Sequence, residues 1–508
     1  MLRQVRTENG WVRGIEAADP RITAFRGIPF AAPPTGNLRW RAPQPCENWE
    51  GVRDASRFGP ISMQWIPGLG TDIYCREWHV DPEIPMGEDC LYLNVWTPAR
   101  KTDEKLPVLV WFFGGGLQCG YTAEMEFDAE RIARRGIVAV TVNYRVGVLG
   151  FLTHPQISRE QPADPANFGN LDQQAGLRWV QRNISAFGGD PAQVTIAGQS
   201  AGGGSVLSQL ACQENEGLFS GAAVMSAMIF DPYLRREVGR PETLKEAEKK
   251  GENFFDFLGI QTLEEARALD AVSLQRSYEK YMEDHIPFFT VQDDLFCKGD
   301  PIIRYLKGEC VNVVMMAGCT SNEFLNMIQA SDEQELEKEA SRLFGPRAEE
   351  FLSFREARIR ASDTEYAPVS GIGCTVRGVL GEAAASGRKG YCYCFDPDIP
   401  GWDQPGTFHS SDLWFWFETL AKCWRPFVGR HYDLARQMCD YFCNFIKSGD
   451  PNGKDLNGEA LPHWAPWSGK DPCTMRFTGG GACSSVEPPT PFQSFLTGRI
   501  MDRIHQSR

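Results

Sequence analysis

No stretch of the 508-residue sequence approaches the roughly 18 consecutive apolar residues of a membrane-spanning helix, so no membrane segment is expected. The start, Met1-Leu2-Arg3-Gln4-Val5-Arg6-Thr7, alternates at once and lacks the apolar core of a secretory signal, which points to a cytoplasmic location. Basic charge is in deficit, with 52 Lys and Arg against 66 Asp and Glu and a net charge of −14. That balance argues against nucleic acid or an anionic membrane surface as a partner. No G-x-G-x-x-G follows a strand, so a dinucleotide cofactor is not expected. No internal repeat, low-complexity linker or heptad run divides the chain. The 16 cysteines show no zinc spacing: Cys392 and Cys394 share a strand pattern, and Cys439 and Cys443 lie on a helix without a partner pair. We expect no metal, no cofactor, and mostly reduced thiols acting as small hydrophobes.

What the chain does have is an alternation of apolar strands and helices. Leu91-Tyr92-Leu93-Asn94-Val95-Trp96, Pro107-Val108-Leu109-Val110-Trp111-Phe112-Phe113, and 137–143 read as strands, the second apolar enough to be covered on both faces. Residues 124–135 and 172–187 read as helices, and strand signals return at 311–316 and 390–395. A stripe of Met438, Tyr441, Phe442 and Phe445 marks a helix over 432–447. The first 60 residues read as short antiparallel strands at a sheet edge. The sum is an α/β fold of one domain, 1–508, with a large, mostly parallel central sheet flanked by helices. Charged helical segments at roughly 232–290 and 333–388 read as inserts over the sheet, among them helices at 242–258 and 263–282.

The chain is organised around Val194-Thr195-Ile196-Ala197-Gly198-Gln199-Ser200-Ala201-Gly202-Gly203-Gly204. Gly198, Ser200 and Gly202 fit G-x-S-x-G, in which small residues on either side of a strained serine let a strand turn sharply into a helix. A serine hydroxyl is a weak nucleophile and needs a base, itself held by an acid. In this fold both follow the serine, which sets aside His79 and His154 and leaves His285, His409, His431, His463 and His505. His409, in the glycine-entered loop Gly406-Thr407-Phe408-His409, is preferred, with His463 in reserve. Glu323 and Asp396 each follow a strand and divide the odds for the acid evenly. Asp293 and Asp294 read as a turn. Gly114-Gly115-Gly116 after a buried strand suits an oxyanion site, with amides from Gly115, Gly116 and Ala201.

Several of these stretches together resemble the type-B carboxylesterase family. They are Phe25-Arg26-Gly27-Ile28-Pro29-Phe30-Ala31, Glu88-Asp89-Cys90-Leu91-Tyr92-Leu93-Asn94, the glycine triplet, Asn143-Tyr144-Arg145-Val146-Gly147, and Asn167-Phe168-Gly169-Asn170-Leu171-Asp172-Gln173. The resemblance implies an α/β-hydrolase fold and a serine esterase with a Ser200, His409, Glu323 triad. It also implies a supporting role for Ser226, a buried Arg39–Glu88 pair, and Cys75 as a partner for Cys90, here expected to be reduced. Gln199 stands where the family often has glutamate, which disfavours cationic choline esters. The expected substrate is an uncharged small-molecule ester, in a pocket drawn from Trp78, Phe288, Phe289 and Trp414, in a monomer or small homo-oligomer. The alternatives are an amide, carbamate or thioester hydrolase, or a silent binding protein.

Overall fold

In the computed structural model, which describes residues 1–233, 241–324, 327–359 and 367–507, eleven strands form one continuous sheet. In chain order they are β1 (Ile15–Glu16), β2 (Thr23–Pro29), β3 (Tyr92–Thr97), β4 (Leu106–Phe112), β5 (Val138–Val142), β6 (Gly189–Gln199), β7 (Gly221–Met225), β8 (Val314–Thr320), β9 (Gly390–Asp396), β10 (Cys473–Thr478) and β11 (Gly481–Val486). In space they run β11-β10-β9-β8-β7-β6-β4-β5-β3-β2-β1. Every neighbouring pair from β5 through β10 is parallel. The remaining pairs, at the two flanks, are antiparallel. The mostly parallel sheet is present with an antiparallel edge at β1 and β2, but Trp11–Arg13 lies in a separate three-stranded sheet, antiparallel to Gln4–Arg6 and parallel to Val52–Asp54.

The apolar run of β4 explains why it lies in the middle. Val108, Val110 and Phe112 join one core with Leu177, Val180, Val206 and Leu210. Leu109 and Trp111 point the other way, into a core with Met438, Tyr441, Phe442 and Phe445. A strand needs apolar side chains at every position only when helices cover both of its faces. The helices concerned are α1 (Phe168–Asn183), α2 (Ala201–Ala211) and α3 (Gly429–Ser448).

Three elements differ from the sequence reading. Residues 124–135 hold a single 3-10 turn, Met125–Phe127, and a four-residue helix, Glu130–Ala133, because the Asp128 side chain accepts the Glu130 amide at 3.1 Å and starts a new segment. Residues 263–282 split into Leu263–Ala268 and Ala271–Met282, where Asp270 caps the second by accepting from the Ser273 amide. The strand read at 311–316 runs over Val314–Thr320 instead, which brings its end close to Glu323. Within the two insert segments, 234–240 and 360–366 lie outside the described residues.

Two ion pairs, Arg145–Asp172 fully buried and Arg39–Glu88 nearly so, fasten loops together. Arg145 Nε and Nη2 donate to the two carboxylate oxygens of Asp172 at 2.8 and 2.7 Å, and the Arg145 amide adds a third bond at 3.0 Å. Arg39 grips Glu88 in the same bidentate way, at 2.6 and 2.8 Å, and donates once more to the Ala266 carbonyl at 3.0 Å. Removing one partner strands the other charge in a poorly solvated site. Arg39→Ala is therefore expected to lower unfolding stability by about 3 kcal/mol while the remaining folded fraction keeps its turnover number. Denaturant unfolding alongside kcat checks both halves.

Candidate active site

Ser200 lies between β6 and α2 with φ 56° and ψ −127°, a conformation that non-glycine residues rarely hold. The glycines around it are required by contact. A Cβ on Gly202 would lie 2.1 Å from the Phe112 carbonyl oxygen, and one on Gly198 would lie 2.4 Å from Gly202. With both absent, strand and helix backbones touch, and the Ser200 amide bonds to the Met225 carbonyl at 2.9 Å. The hydroxyl-bearing residue is thereby held at the wall of a cavity of about 320 Å³.

The glycine triplet lines the same cavity. Its entry is fixed by Tyr144, whose hydroxyl donates to the Phe113 carbonyl at 2.7 Å and whose ring stacks on Phe113 at 4.1 Å. Gly115 and Gly116 both have positive φ, and a Cβ on Gly116 would meet nothing within 4 Å. Among the described residues, the amides of Gly115, Gly116 and Ala201 donate to no backbone carbonyl, Ala201 because it opens a helix.

Glu323 and His409 come from separate loops that are laced together. The Asn322 side chain accepts from the Thr407 amide at 3.0 Å and from its hydroxyl at 2.8 Å, the Ser321 and Thr407 hydroxyls touch, and the Ser321 amide bonds to the Phe395 carbonyl. This lacing sets His409 Nδ1 2.5 Å from Glu323 Oε2. The other carboxylate oxygen accepts from Ser226 Oγ at 2.7 Å and from the Thr320 amide at 3.0 Å. Complete burial pushes the Glu323 carboxyl up. The imidazole and these hydrogen bonds outweigh it, and the group ends below its ordinary value. Asp396, the other candidate acid, instead accepts from Arg476 at 2.7 Å. His463 is absent from the cavity lining, and its loop packs Trp464 into the core.

His409 Nε2 faces the Gln199 side-chain nitrogen at 3.3 Å. With Nδ1–H turned to Glu323, Nε2 is the acceptor of that contact. Among the described residues no hydrogen bond joins Ser200 to His409; the Gln199 amide engages that nitrogen instead. The Phe324 ring lies 4.3 Å from the imidazole and shields it on the cavity side. Behind it, Asp412 accepts from the Tyr393 hydroxyl and from Trp416 Nε1, both at 3.0 Å, and burial raises it to about 6.

Of the aromatics assigned to the pocket from sequence, Trp78 lines the cavity. Trp414 is buried behind it, with ring centroids 6.3 Å apart, and Leu413 takes its place on the wall. Phe288 stacks on Tyr278 at 5.5 Å inside the core of the helical insert, and Phe289 is on the surface. Adjacent aromatics on an extended segment point to opposite sides, and neither side here is the cavity. Trp65, Tyr74, Phe127 and Phe324 line it without having been singled out. Tyr74 sits on the five-residue helix Ile73–Glu77 and Phe127 in the 3-10 turn, both too short for a periodic signal, while Trp65 lies in irregular chain and Phe324 beside the acid. Cys75 and Cys90 are both free thiols. Among the described residues no cluster suits a metal ion, and no helix is long and apolar enough to cross a membrane.

A sharp serine elbow on a parallel sheet, with an acid and a histidine following in chain order, defines an α/β-hydrolase. The chain belongs to the carboxylesterase family, which it matches over residues 2–362 and 358–484. It is 30% identical to a human (Homo sapiens) cocaine esterase over 495 residues, 90% of this chain and 85% of that protein. It is 41% identical to a Sphingopyxis macrogoltabida fumonisin B1 esterase over 246 residues, 48% of this chain but only 42% of that protein. A rabbit (Oryctolagus cuniculus) cocaine esterase is 44% identical over 45% of this chain and 42% of its own length. Among solved structures, a PNB esterase superposes with a TM-score of 0.79 at 26% identity, covering 98% of this chain and 99% of its own. The Geobacillus stearothermophilus carboxylesterase EST55 superposes with a TM-score of 0.76 at 28% identity, covering 97% and 99%.

Proposed function

We propose that the protein is a serine carboxylesterase that hydrolyses uncharged carboxylic esters through an acyl-enzyme. The observation that carries this reading is the His409–Glu323 contact of 2.5 Å on the wall of the cavity that Ser200 and the glycine triplet also line. Ser200 Oγ attacks the ester carbonyl as His409 Nε2, released from Gln199, takes its proton. Glu323 fixes the tautomer and stabilises the imidazolium, and Ser226 holds the second Glu323 oxygen. The amides of Gly115, Gly116 and Ala201 receive the oxyanion, a contribution worth about 10²–10³ in rate for each donor of this kind. His409 returns the proton to the leaving alkoxide, and water repeats the cycle on the acyl group. No cofactor is required.

The preference for uncharged esters follows from the wall. Trp65, Tyr74, Trp78, Phe127, Phe324 and Leu413 supply apolar surface, among the described residues no lysine or arginine lines the cavity to hold an anionic substrate, and the two acids on the wall are engaged, Asp72 by the Cys75 amide and Glu124 beside His79. The test is rapid-mixing hydrolysis of p-nitrophenyl esters of graded acyl length, with mass spectrometry of acid-quenched protein. A burst of p-nitrophenol matched by an acyl group on Ser200 is the expected result. Steady hydrolysis with no acyl group on Ser200, or none at all across the series, would overturn the acyl-enzyme reading.

A further inference from the structure

A second nucleophile, base and acid stand in the same cavity, none of them used by the chemistry above. Cys119, His79 and Glu124 all line it, and all are buried from bulk solvent, at 5, 7 and 5% exposure. Cys119 Sγ lies 3.8 Å from His79 Nε2, and His79 Nδ1 lies 2.6 Å from Glu124 Oε1. The order of contacts, sulfur to Nε2 and Nδ1 to carboxyl, is the order a base needs to draw a proton from a nucleophile. Among the described residues no other cysteine sulfur contacts an imidazole. Cys119 and Glu124 are close in sequence, but His79 lies 40 residues before Cys119, so no single motif joins the three.

The surroundings make the cluster a proton reservoir. Burial pushes Glu124 up to about 8, and burial together with the Glu124 carboxyl raises Glu126, its neighbour, well above its ordinary value. Burial alone would pull His79 down, but its contact with Cys119 and the nearby acids Glu126 and Asp72 leave it raised. Burial also keeps the Cys119 thiol protonated at rest, His79 countering it in part. The thiolate is the attacking species, so His79 must draw the proton from the resting thiol for Cys119 to react.

We infer that Cys119, with His79 as base and Glu124 set against the far side of the imidazole, is a covalent capture site for small uncharged α,β-unsaturated carbonyl compounds that enter the ester cavity. The step is a conjugate addition. The S–H bond breaks as His79 Nε2 takes the proton, Sγ bonds to the β-carbon, and the C=C π pair moves toward the carbonyl as an enolate. His79 returns the proton to the α-carbon. The sum is S–H added across C=C, with no leaving group and no change in overall oxidation state. Cys119 Sγ also lies 3.4 Å from the Gly115 carbonyl oxygen, and even a Cβ on Gly115 would come within 2.9 Å of that sulfur. An adduct at Cys119 therefore crowds the glycine turn and closes the cavity to esters. The consequence for hydrolysis rests on the esterase reading; the capture itself does not.

The probe is limiting N-ethylmaleimide, with peptide mapping of the adduct and ester hydrolysis followed together. In wild type, label is expected on Cys119 ahead of Cys75, its neighbour on the same wall, and hydrolysis should fall in step with it. His79→Gln should slow labelling of Cys119 by tenfold or more and leave labelling of the exposed Cys483 unchanged. Cys119→Ala and Cys119→Ser should each retain their own starting hydrolysis rate through the same treatment. Ser200→Ala should take up label on Cys119 at the wild-type rate, so an inactive wild type with a labelled Cys119 would sink the esterase reading and leave this one standing. An unlabelled Cys119, equal rates in His79→Gln and wild type, or loss of hydrolysis in both Cys119 variants at the wild-type rate would overturn the proposal.

Discussion

Ser200→Ala is expected to lower kcat for a p-nitrophenyl ester by about 10⁵–10⁶, with the fold intact. The magnitude follows from what the substitution removes and what it spares. Without Oγ there is no acyl-enzyme, and His409 has no proton to take. The amides of Gly115, Gly116 and Ala201 and the aromatic wall remain, so the residual rate should still exceed that in water, with hydroxide or water as nucleophile. Stability should hardly change. Alanine meets the same positive φ that serine already bears at this position, and the backbone bond from residue 200 to the Met225 carbonyl does not depend on the side chain. Thermal unfolding of the two proteins measured beside kcat separates the chemical effect from a folding one. A loss smaller than a hundredfold would mean that another group on the cavity wall, such as Cys119, attacks the ester.

The parts of the site that were legible in the sequence are those made by local sterics. Gly198 and Gly202 flank a serine because a Cβ at either position would strike backbone, and that requirement writes itself into five consecutive residues. The glycine triplet after β4 is legible for a similar reason, as is the all-apolar β4 itself. The acid was not decided by residue type and spacing. Glu323 and Asp396 both follow strands, and they differ only in partners distant in sequence: His409 and Ser226 for one, Arg476 for the other. Resemblance pointed to Glu323 because the whole segment around it matched, and the laced loops give that position a physical reason. The cavity wall was least legible. Trp78 faces it, whereas Phe288, Phe289 and Trp414 do not, because apolar character states that a ring is buried and not against what. His79 was set aside because it precedes the serine, and its approach to Cys119, 40 residues on, exists only after the chain has folded.

Glu323→Gln should lower kcat by about 10⁴ and alter KM little, because its carboxylate touches the base and not the substrate. Glutamine matches the volume and can still accept the Ser226 hydroxyl. Beside His409 Nδ1, however, it presents either a neutral oxygen, which no longer stabilises the imidazolium, or an NH₂ group, which favours the wrong tautomer. The same carboxylate leaves a mark on stability with a definite sign. Its folded value is lowered below the ordinary 4.5, so it contributes stability that is fully present above about pH 4.5 and is lost as pH falls through the folded value. Wild type should therefore hold its largest advantage over the variant at neutral pH and lose it on acidification. Asp412→Asn is the control with the opposite sign. Burial raises that group to about 6, so its charge costs stability above that pH, and the variant should gain on wild type as pH rises from 4 to 7. Equal pH profiles for wild type and Glu323→Gln, or a kcat loss below tenfold, would mean that the imidazole is held by some other acid.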